Sequence, residues 1–245
     1  MELMEPFKQD RKGLLYVEKS DISTYEINFP KYQKPYGIPQ KQATFYGIHD
    51  MDEFLIKHVT TDPLLINQIR YLNMLLKLVE RQSLVTTADL PFAYCINDLE
   101  VLEGIISKYY KDSLSTQQIV CAHPFSELKK YYDHEDNEID NFISLILDIL
   151  HILIELVEAG IYYMDIRTSN FIVYNNMVKI VDFEPGYVFF SDRFGIRLKK
   201  MLQSYGRMVN ELRKRCGFKS NHFAPGESLY ETEKRVSEYR KVLTR

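Results

Sequence analysis

The chain has 245 residues, 45% of them hydrophobic, which is enough to bury one substantial core or two small ones. Its net charge of −3 gives no reason to expect a nucleic-acid partner. Three widely spaced cysteines indicate neither a disulfide framework nor a zinc site, and they suit a reducing compartment. The first residues lack the apolar core of a signal peptide, and charged residues interrupt the longest apolar stretch. We therefore predict a cytoplasmic protein without a membrane span.

The amino-terminal half combines strand patterns with one helix pattern. Strands are predicted at residues 24–32, 42–49, 54–59 and 104–107. The connection over 33–41 contains only Gly37, so no glycine-rich phosphate loop is visible. Two interpretations stay open: a segment that covers a nucleotide through its backbone N–H groups, or an ordinary connection. Asp62 and Pro63 are typical of a helix start, and a helix is predicted over 63–82.

Lys57 is the one charged residue inside the apolar strand pattern at 54–59, apart from a histidine beside it. One interpretation is an exposed lysine on an edge strand, which is a common place for this residue type. The other is a functional role for this lysine, which the strand pattern by itself does not specify. The sequence leaves both interpretations open.

A long apolar pattern over residues 140–159 predicts a core helix, and Gly160 after it suits a helix C-cap. Charged residues within this pattern argue against a membrane helix. Farther along, residues 192–215 predict another helix that carries a basic cluster. The spread of this cluster around the helix favours a solvated face over a polyanion site. Its members are Arg193, Arg197, Lys199, Lys200, Arg207, Arg213, Lys214 and Arg215.

Residues 171–174 and 177–183 predict a β-hairpin, because Asn175 and Asn176 between them suit the positive φ angles of a two-residue turn. Antiparallel pairing would bring Asn170 and Asp182 to the same edge of the hairpin. Asp165 lies on the loop that leads to this edge. Carboxylate and carboxamide oxygens are suitable ligands for Mg²⁺, and a second carboxylate nearby can orient or deprotonate a hydroxyl.

In these residues the chain resembles the protein-kinase-like superfamily, whose motifs are H-R-D-x-x-x-x-N and D-F-G. The corresponding stretches here are Tyr163-Met164-Asp165-x-x-x-x-Asn170 and Asp182-Phe183-Glu184. The resemblance implies that Asp165 is the catalytic base and that Asn170 and Asp182 bind Mg²⁺ or Mn²⁺.

Three further roles follow from the same resemblance. Arg167 is expected to lie toward the transferred phosphate, and Lys57 to contact the α- and β-phosphates of ATP. Glu184, in place of the glycine of D-F-G, could add a carboxylate at the metal or cap the segment that follows it. An Asp-Phe-Glu form resembles that of choline-kinase-like small-molecule kinases and of some bacterial kinase domains.

The implied fold is α+β and two-lobed. Residues 1–110 would form an N-lobe with a small antiparallel sheet and one helix, and residues 111–245 a mainly helical C-lobe with a shortened C-terminal part. Residues 109–112 would form the hinge. The helix after Lys57 has no acidic residue near its start to pair with this lysine.

The resemblance implies an ATP-dependent phosphotransferase that acts on a hydroxyl of a protein or a small molecule. Two alternatives stay open. One is a small-molecule kinase of the choline-kinase or aminoglycoside-kinase type. The other is a pseudokinase that binds partners, suggested by the missing glycine loop, the missing helix glutamate and the loss of His-Arg before Asp165.

Overall fold

The computed structural model describes residues 5–27, 44–59, 65–122, 128–191, 195–219 and 222–243. The chain has a mixed α+β fold and divides into two compact units. Unit 1 comprises Met1–Ser83 and Asp89–Lys111, and unit 2 comprises Leu84–Ala88 and Asp112–Arg245. Several predicted features lie outside the described residues: the strand end at 28–32, the connection at 33–41, the helix start at 61–63 and the helix start at 192.

The described part of unit 1 contains one sheet of seven strands. In chain order these are β1 (Lys8–Gln9), β2 (Leu15–Glu18), β3 (Thr24–Ile27), β4 (Phe45–Ile48), β5 (Met51–His58), β6 (Ala93–Ile96) and β7 (Leu102–Lys108). Their order across the sheet is β1-β2-β6-β7-β5-β4-β3. Every pair is antiparallel except β2 with β6, which is parallel. The sheet is therefore mixed, and β1 and β2 make it larger than the small antiparallel sheet predicted from the sequence.

Helix α1 (Leu65–Val79) packs on one face of this sheet. Its Leu75 is fully buried among residues of β6 and β7, including Ile105. The helix ends at Val79, three residues before the predicted end at 82. The opposite face of the sheet carries a second apolar cluster, formed by Phe7, Val17, Ile48, Ile56, Ala93, Cys95 and Ile106. Unit 1 thus has apolar cores on both sides of the sheet.

Helix α4 (Glu138–Glu158) is the central element of unit 2. The Asn137 side chain accepts a hydrogen bond from the Asp140 backbone N–H at 3.0 Å and so caps the helix start. Gly160, with φ 74°, follows the helix end, as the sequence predicted. Seven apolar side chains of α4 are fully buried: Phe142, Leu145, Ile146, Ile149, Leu150, Leu153 and Leu156.

The other described helices of unit 2 are α2 (Thr116–Ala122), α3 (Leu128–Tyr131), α5 (Ile196–Arg215) and α6 (Leu229–Leu243). Helices α5 and α6 both pack against α4. The described strands of unit 2 are β8 (Leu114–Ser115), β9 (Ile161–Tyr163), β10 (Phe171–Tyr174), β11 (Met177–Ile180) and β12 (Val188–Phe190). They form one three-stranded sheet, β11-β10-β8, and one pair, β12-β9.

The basic residues of α5 do not all lie on a solvated face. Arg213 is buried, and its guanidinium donates a hydrogen bond to the Phe218 carbonyl at 2.7 Å. Arg193 lies outside the described residues, and the other members of the cluster are exposed. Within the described ranges, the chain has no helix with the length and apolar character needed to cross a membrane.

Candidate active site

The hairpin formed by β10 and β11 positions the candidate site, and its prediction is confirmed. Phe171 pairs with Ile180, and Asn175 and Asn176 have φ angles of 48° and 64° in the two-residue turn. The second strand ends at Ile180 rather than at 183. Its extended conformation stops there because Asp182 adopts a φ of 69°, in the left-handed region.

The tip of the hairpin is fastened to the segment that precedes α4. The Asp133 N–H donates to Asn176 Oδ1 at 2.6 Å, and Asn176 Nδ2 donates to the Asp133 carbonyl at 2.9 Å. His134 Nε2 contacts the Asn176 carbonyl at 2.6 Å. These three contacts hold the hairpin at the end opposite the candidate site.

At the base of the hairpin, Asn170 and Asp182 lie side by side, because the Val181 N–H donates to the Asn170 carbonyl at 2.9 Å. The Asn170 side chain is buried and turns toward Asp165. Its Nδ2 group shares its two hydrogens among three acceptors: Asp165 Oδ2 at 2.9 Å, the Asp165 carbonyl at 3.0 Å and the Tyr163 hydroxyl at 2.9 Å. The structure therefore brings together Asp165, Asn170 and the Asp182 backbone, as the motif spacing predicted.

The Asp165 carboxylate is held from two sides. Its side chain is only 9% exposed, and Oδ1 forms an ion pair with Arg167 Nε at 2.5 Å. Oδ2 receives the hydrogen bond from Asn170. The Arg167 side chain is 48% exposed and lies over the Tyr187 ring, at 5.8 Å from its centroid. These two contacts fix the orientation of the Asp165 carboxylate toward a ligand that binds next to it.

Tyr163 links the loop that carries Asp165 to the segment that carries Asp182. It lies in β9, is fully buried, and donates from its hydroxyl to the Val181 carbonyl at 3.0 Å while accepting from Asn170. Its ring meets the Phe183 ring edge-on, with 5.3 Å between centroids. Burial raises the pKa of Tyr163 well above 10.0, and the negative charges of Asp182 and Asp165 raise it further.

Sequence reasoning missed this role of Tyr163 and counted it only as a departure from the family motif. A buried tyrosine needs a partner for its hydroxyl, and Asn170 follows seven residues later. This pairing of a phenol with a carboxamide was the signal in the sequence that could have revealed it.

Glu184 lies at a turn after Phe183. Its carbonyl accepts hydrogen bonds from the N–H groups of Tyr187 at 2.9 Å and Val188 at 3.0 Å. Val188 then begins β12 and pairs with Tyr163 of β9. The Glu184 side chain is half-buried. Its contribution to a metal site stays a prediction.

The oxygen atoms of the side chains around Asn170 fit a magnesium ion whose other ligands are mainly nucleotide phosphates. The described residues contain no group of three or more His, Cys, Asp or Glu side chains that could hold a metal. Mg²⁺ needs no such cage, because one or two carboxylates plus substrate phosphates and waters suffice. The Asn170 nitrogen is committed to protein partners, and its oxygen, which accepts from the Ser169 hydroxyl at 3.1 Å, has a second lone pair.

Lys57 belongs to unit 1 and is buried on a central strand, with 8% exposure. Strand β5 lies between β4 and β7, so the interpretation of an exposed edge-strand lysine is wrong. Its cross-strand neighbour Ile105 belongs to the cluster under α1, which places Lys57 on the face that α1 covers. The chain from Leu65 to Val79 contains no acidic residue, so α1 supplies no carboxylate for Lys57.

A cleft of about 290 Å³ opens beside Asp165 within unit 2. One wall is the loop from Met164 to Arg167. The other wall is a stripe of α5 that includes Ser204, Arg207 and Glu211. Asp165 lines this cleft, with 9% of its side chain exposed.

No protein-family model matches the chain, and no curated protein matches it. Its function is therefore inferred from the site residues themselves. These are a fixed carboxylate that lines an open cleft, a fixed carboxamide and a second carboxylate.

Proposed function

We propose that the protein is an ATP-dependent phosphotransferase of the protein-kinase-like kind, which moves the γ-phosphoryl group of ATP to a hydroxyl. One observation supports this most strongly. The Asn170 side chain binds the Asp165 carboxylate, and the Asn170 backbone binds Val181, next to Asp182. Phosphoryl transfer in this superfamily uses an Asp, an Asn and a second Asp in these roles.

In the proposed reaction, Asp165 accepts a hydrogen bond from the acceptor hydroxyl and orients its oxygen. This oxygen forms a bond to the γ-phosphorus while the bond from that phosphorus to the β,γ-bridging oxygen breaks. The electron pair of the broken bond leaves with ADP, and the hydroxyl proton passes to Asp165 and then to water. Arg167, which already contacts Asp165, provides positive charge next to the transferred group.

Asn170 Oδ1 and the Asp182 carboxylate would hold Mg²⁺ or Mn²⁺, with Glu184 as a further candidate. When bound, the metal would neutralise negative charge on the nucleotide phosphates. Lys57 is proposed to contact the α- and β-phosphates. Its place on a strand followed by helix α1 supports this, because the phosphate-binding lysine of protein kinases occurs in the same order of elements.

Two specific observations favour a second candidate, a nucleotide-binding module without transfer activity. Helix α1 offers no acidic partner for Lys57 between Leu65 and Val79. Both oxygens of the Asp165 carboxylate are already engaged, one with Arg167 and one with Asn170. An engaged carboxylate is a weaker acceptor for a hydroxyl proton. The small-molecule kinase alternative differs from the main proposal only in its acceptor.

The test is ATP turnover and phosphoryl transfer with Mg²⁺ or Mn²⁺, compared for the wild type, Asp165→Ala and Asp182→Asn. Glu158→Gln, an exposed carboxylate of α4, is the matched control. Turnover that both site variants abolish and the control retains would establish a phosphotransferase. No turnover by the wild type, together with stabilisation by nucleotide, would favour the binding module.

A further inference from the structure

The cleft beside Asp165 is lined by two carboxylates and two arginines, and one of these arginines, Arg207, stands outside the ion pairs of the described residues. Two carboxylates line it, and each is already matched by an arginine. Asp165 pairs with Arg167 at 2.5 Å, and Glu211 pairs with Arg215 at 2.8 Å. Arg207 also lines the cleft and is exposed. Within the part of the chain that the structure describes, it donates to the neutral Ser204 hydroxyl at 2.9 Å and forms no ion pair.

Arg207 occupies a position from which it can reach a ligand near Asp165. Ser204, Arg207 and Glu211 follow one another at helical spacing and form a single stripe of α5 facing the catalytic loop. Through its contact with Ser204, the Arg207 guanidinium is held along this wall. The planar guanidinium offers paired donors whose geometry matches a carboxylate or a phosphate.

We propose that this cleft is the acceptor site and that the accepted molecule carries a carboxylate or phosphate near its hydroxyl, with Arg207 as the residue that selects it. This inference rests on the proposed function, because it takes Asp165 as the group that receives the acceptor hydroxyl. Binding of the anion by Arg207 places the hydroxyl at Asp165. Two kinds of acceptor carry such an anionic group beside a hydroxyl. One is a small phosphorylated or carboxylated alcohol, and the other is a peptide in which an acidic side chain lies next to a serine.

The test measures binding first, so that its outcome does not depend on catalysis. Calorimetric titration would compare glycerol 3-phosphate with glycerol, and a serine peptide flanked by glutamates with the same peptide flanked by glutamines. Each titration is repeated with Arg207→Gln, which removes the charge but keeps a donor for Ser204. Lys199→Gln is the matched control, since Lys199 is exposed on α5 and does not line the cleft.

We expect the wild type to bind one anionic probe at least about tenfold more tightly than its neutral counterpart, and Arg207→Gln to lose this preference. Lys199→Gln should keep it. The probe that shows the preference identifies the source of the anion. Equal affinity for anionic and neutral probes, no binding of any probe, or an unchanged preference in Arg207→Gln would overturn the proposal.

Transfer assays then separate this inference from the proposed function. In an active protein, Arg207→Gln should raise the KM for the preferred acceptor about tenfold and leave the KM for ATP unchanged. Anion-selective binding that depends on Arg207, without any ATP turnover, would keep the cleft as an anion site and refute the phosphotransferase. ATP turnover without a preference for anionic acceptors would support the phosphotransferase and refute the anion site in the cleft.

Discussion

The side-chain amide of Asn170 donates a hydrogen bond to Asp165 Oδ2 at 2.9 Å, and this contact orients both residues at once. The amide nitrogen cannot turn away without also losing the Asp165 carbonyl and the Tyr163 hydroxyl. The nitrogen end of the carboxamide is therefore committed to the protein, and the oxygen end is the part that a cation can use. Asp165, in turn, is fixed by a residue that is itself a candidate metal ligand.

Asn170→Ala should uncouple these two residues. If the proposed function holds, phosphoryl transfer should fall at least about 100-fold, because Asp165 loses its orientation and the proposed metal site loses a ligand. The free energy of unfolding should fall by about 1–3 kcal/mol, since buried acceptors lose their donor. Transfer rates and urea unfolding would measure the two effects. Glu158→Gln, exposed on α4, is the control, and wild-type transfer by Asn170→Ala would contradict the assignment.

Tyr163→Phe tests whether the tyrosine hydroxyl holds the two motif segments together. The variant loses the bonds to the Val181 carbonyl and Asn170, while its ring can keep the edge-on contact with Phe183. We expect a loss of about 1–3 kcal/mol in unfolding free energy and a fall in transfer of at least about tenfold. Urea unfolding and steady-state kinetics would measure these.

The matched control for this variant is Tyr205→Phe. Tyr205 is also fully buried, and its hydroxyl donates to the Ile146 carbonyl at 2.6 Å, which joins α5 to α4. It should lose a similar amount of stability without a change in kcat per folded molecule. Equal changes in kcat for the two variants would mean that the Tyr163 hydroxyl contributes to stability only, as the Tyr205 hydroxyl does.

Alkaline pH should destabilise the protein through its buried tyrosines. Burial raises the pKa of Tyr163 and of Tyr205 well above 10.0 in the folded state. The unfolded chain releases these protons near pH 10 while the folded chain keeps them, so the stabilisation is complete below that pH and is lost above it. Each such tyrosine should contribute a slope of about −1.4 kcal/mol per pH unit above pH 10. Urea unfolding from pH 8 to 11 should give a shallower decline for the double variant Tyr163→Phe/Tyr205→Phe, and parallel declines would contradict this.

Local patterns in the sequence predicted the hairpin and helix α4 correctly. Asn175-Asn176 between β-branched strands, and an apolar helix pattern closed by Gly160, are signals contained within a few residues, whereas the N-cap Asn137 was not predicted. The burial of Lys57 could not be predicted in this way. It depends on the order of strands in the sheet, and distant pairing of β5 with β7 determines that order.

The parallel pairing of β2 with β6 is another feature that no local pattern carries, because more than seventy residues separate the two strands. The hydrogen bonds of Tyr163 also depend on this kind of long-range arrangement, since Val181 comes eighteen residues later. The candidate site was predicted from a short motif, and the contact between Tyr163 and Asn170 lies within that motif. The contact between Tyr163 and Val181 was missed because it joins two separate segments.

Glu155 of α4 provides a test of a contact that joins distant parts of unit 2. Its carboxylate accepts hydrogen bonds from the backbone N–H groups of Thr86 at 2.6 Å and Thr87 at 2.8 Å, and from both hydroxyls. We expect Glu155→Gln to lower the free energy of unfolding by about 1–2 kcal/mol, because an amide accepts these bonds more weakly. Glu158→Gln, exposed one turn later, should change it little, and equal effects in urea unfolding would refute the assignment.

The same contact gives a prediction for acid pH. Burial opposes ionisation of Glu155, but the hydrogen bonds from Thr86 and Thr87 outweigh it and hold the pKa below 4.5. Because the folded pKa is the lower one, this stabilisation is present above about pH 4.5 and is lost as the pH falls through the folded value. The stability difference between the wild type and Glu155→Gln should therefore shrink between about pH 5 and pH 3. A difference that stays constant over this range would contradict the prediction.

Lys57→Met tests the nucleotide role of the buried lysine, since methionine keeps most of the side-chain length and removes the charge. If Lys57 contacts the nucleotide phosphates, the increase in Tm produced by Mg·ATP should be lost, and transfer should fall at least about 100-fold. Lys108→Met, at the exposed end of the neighbouring strand β7, is the control and should keep both. The increase in Tm depends on binding alone. The experiment therefore also detects nucleotide binding in a protein that does not transfer phosphate. If Mg·ATP still raises the Tm of Lys57→Met by the wild-type amount, Lys57 does not contact the phosphates. Its role would then be structural, within unit 1, and another residue would bind the phosphates.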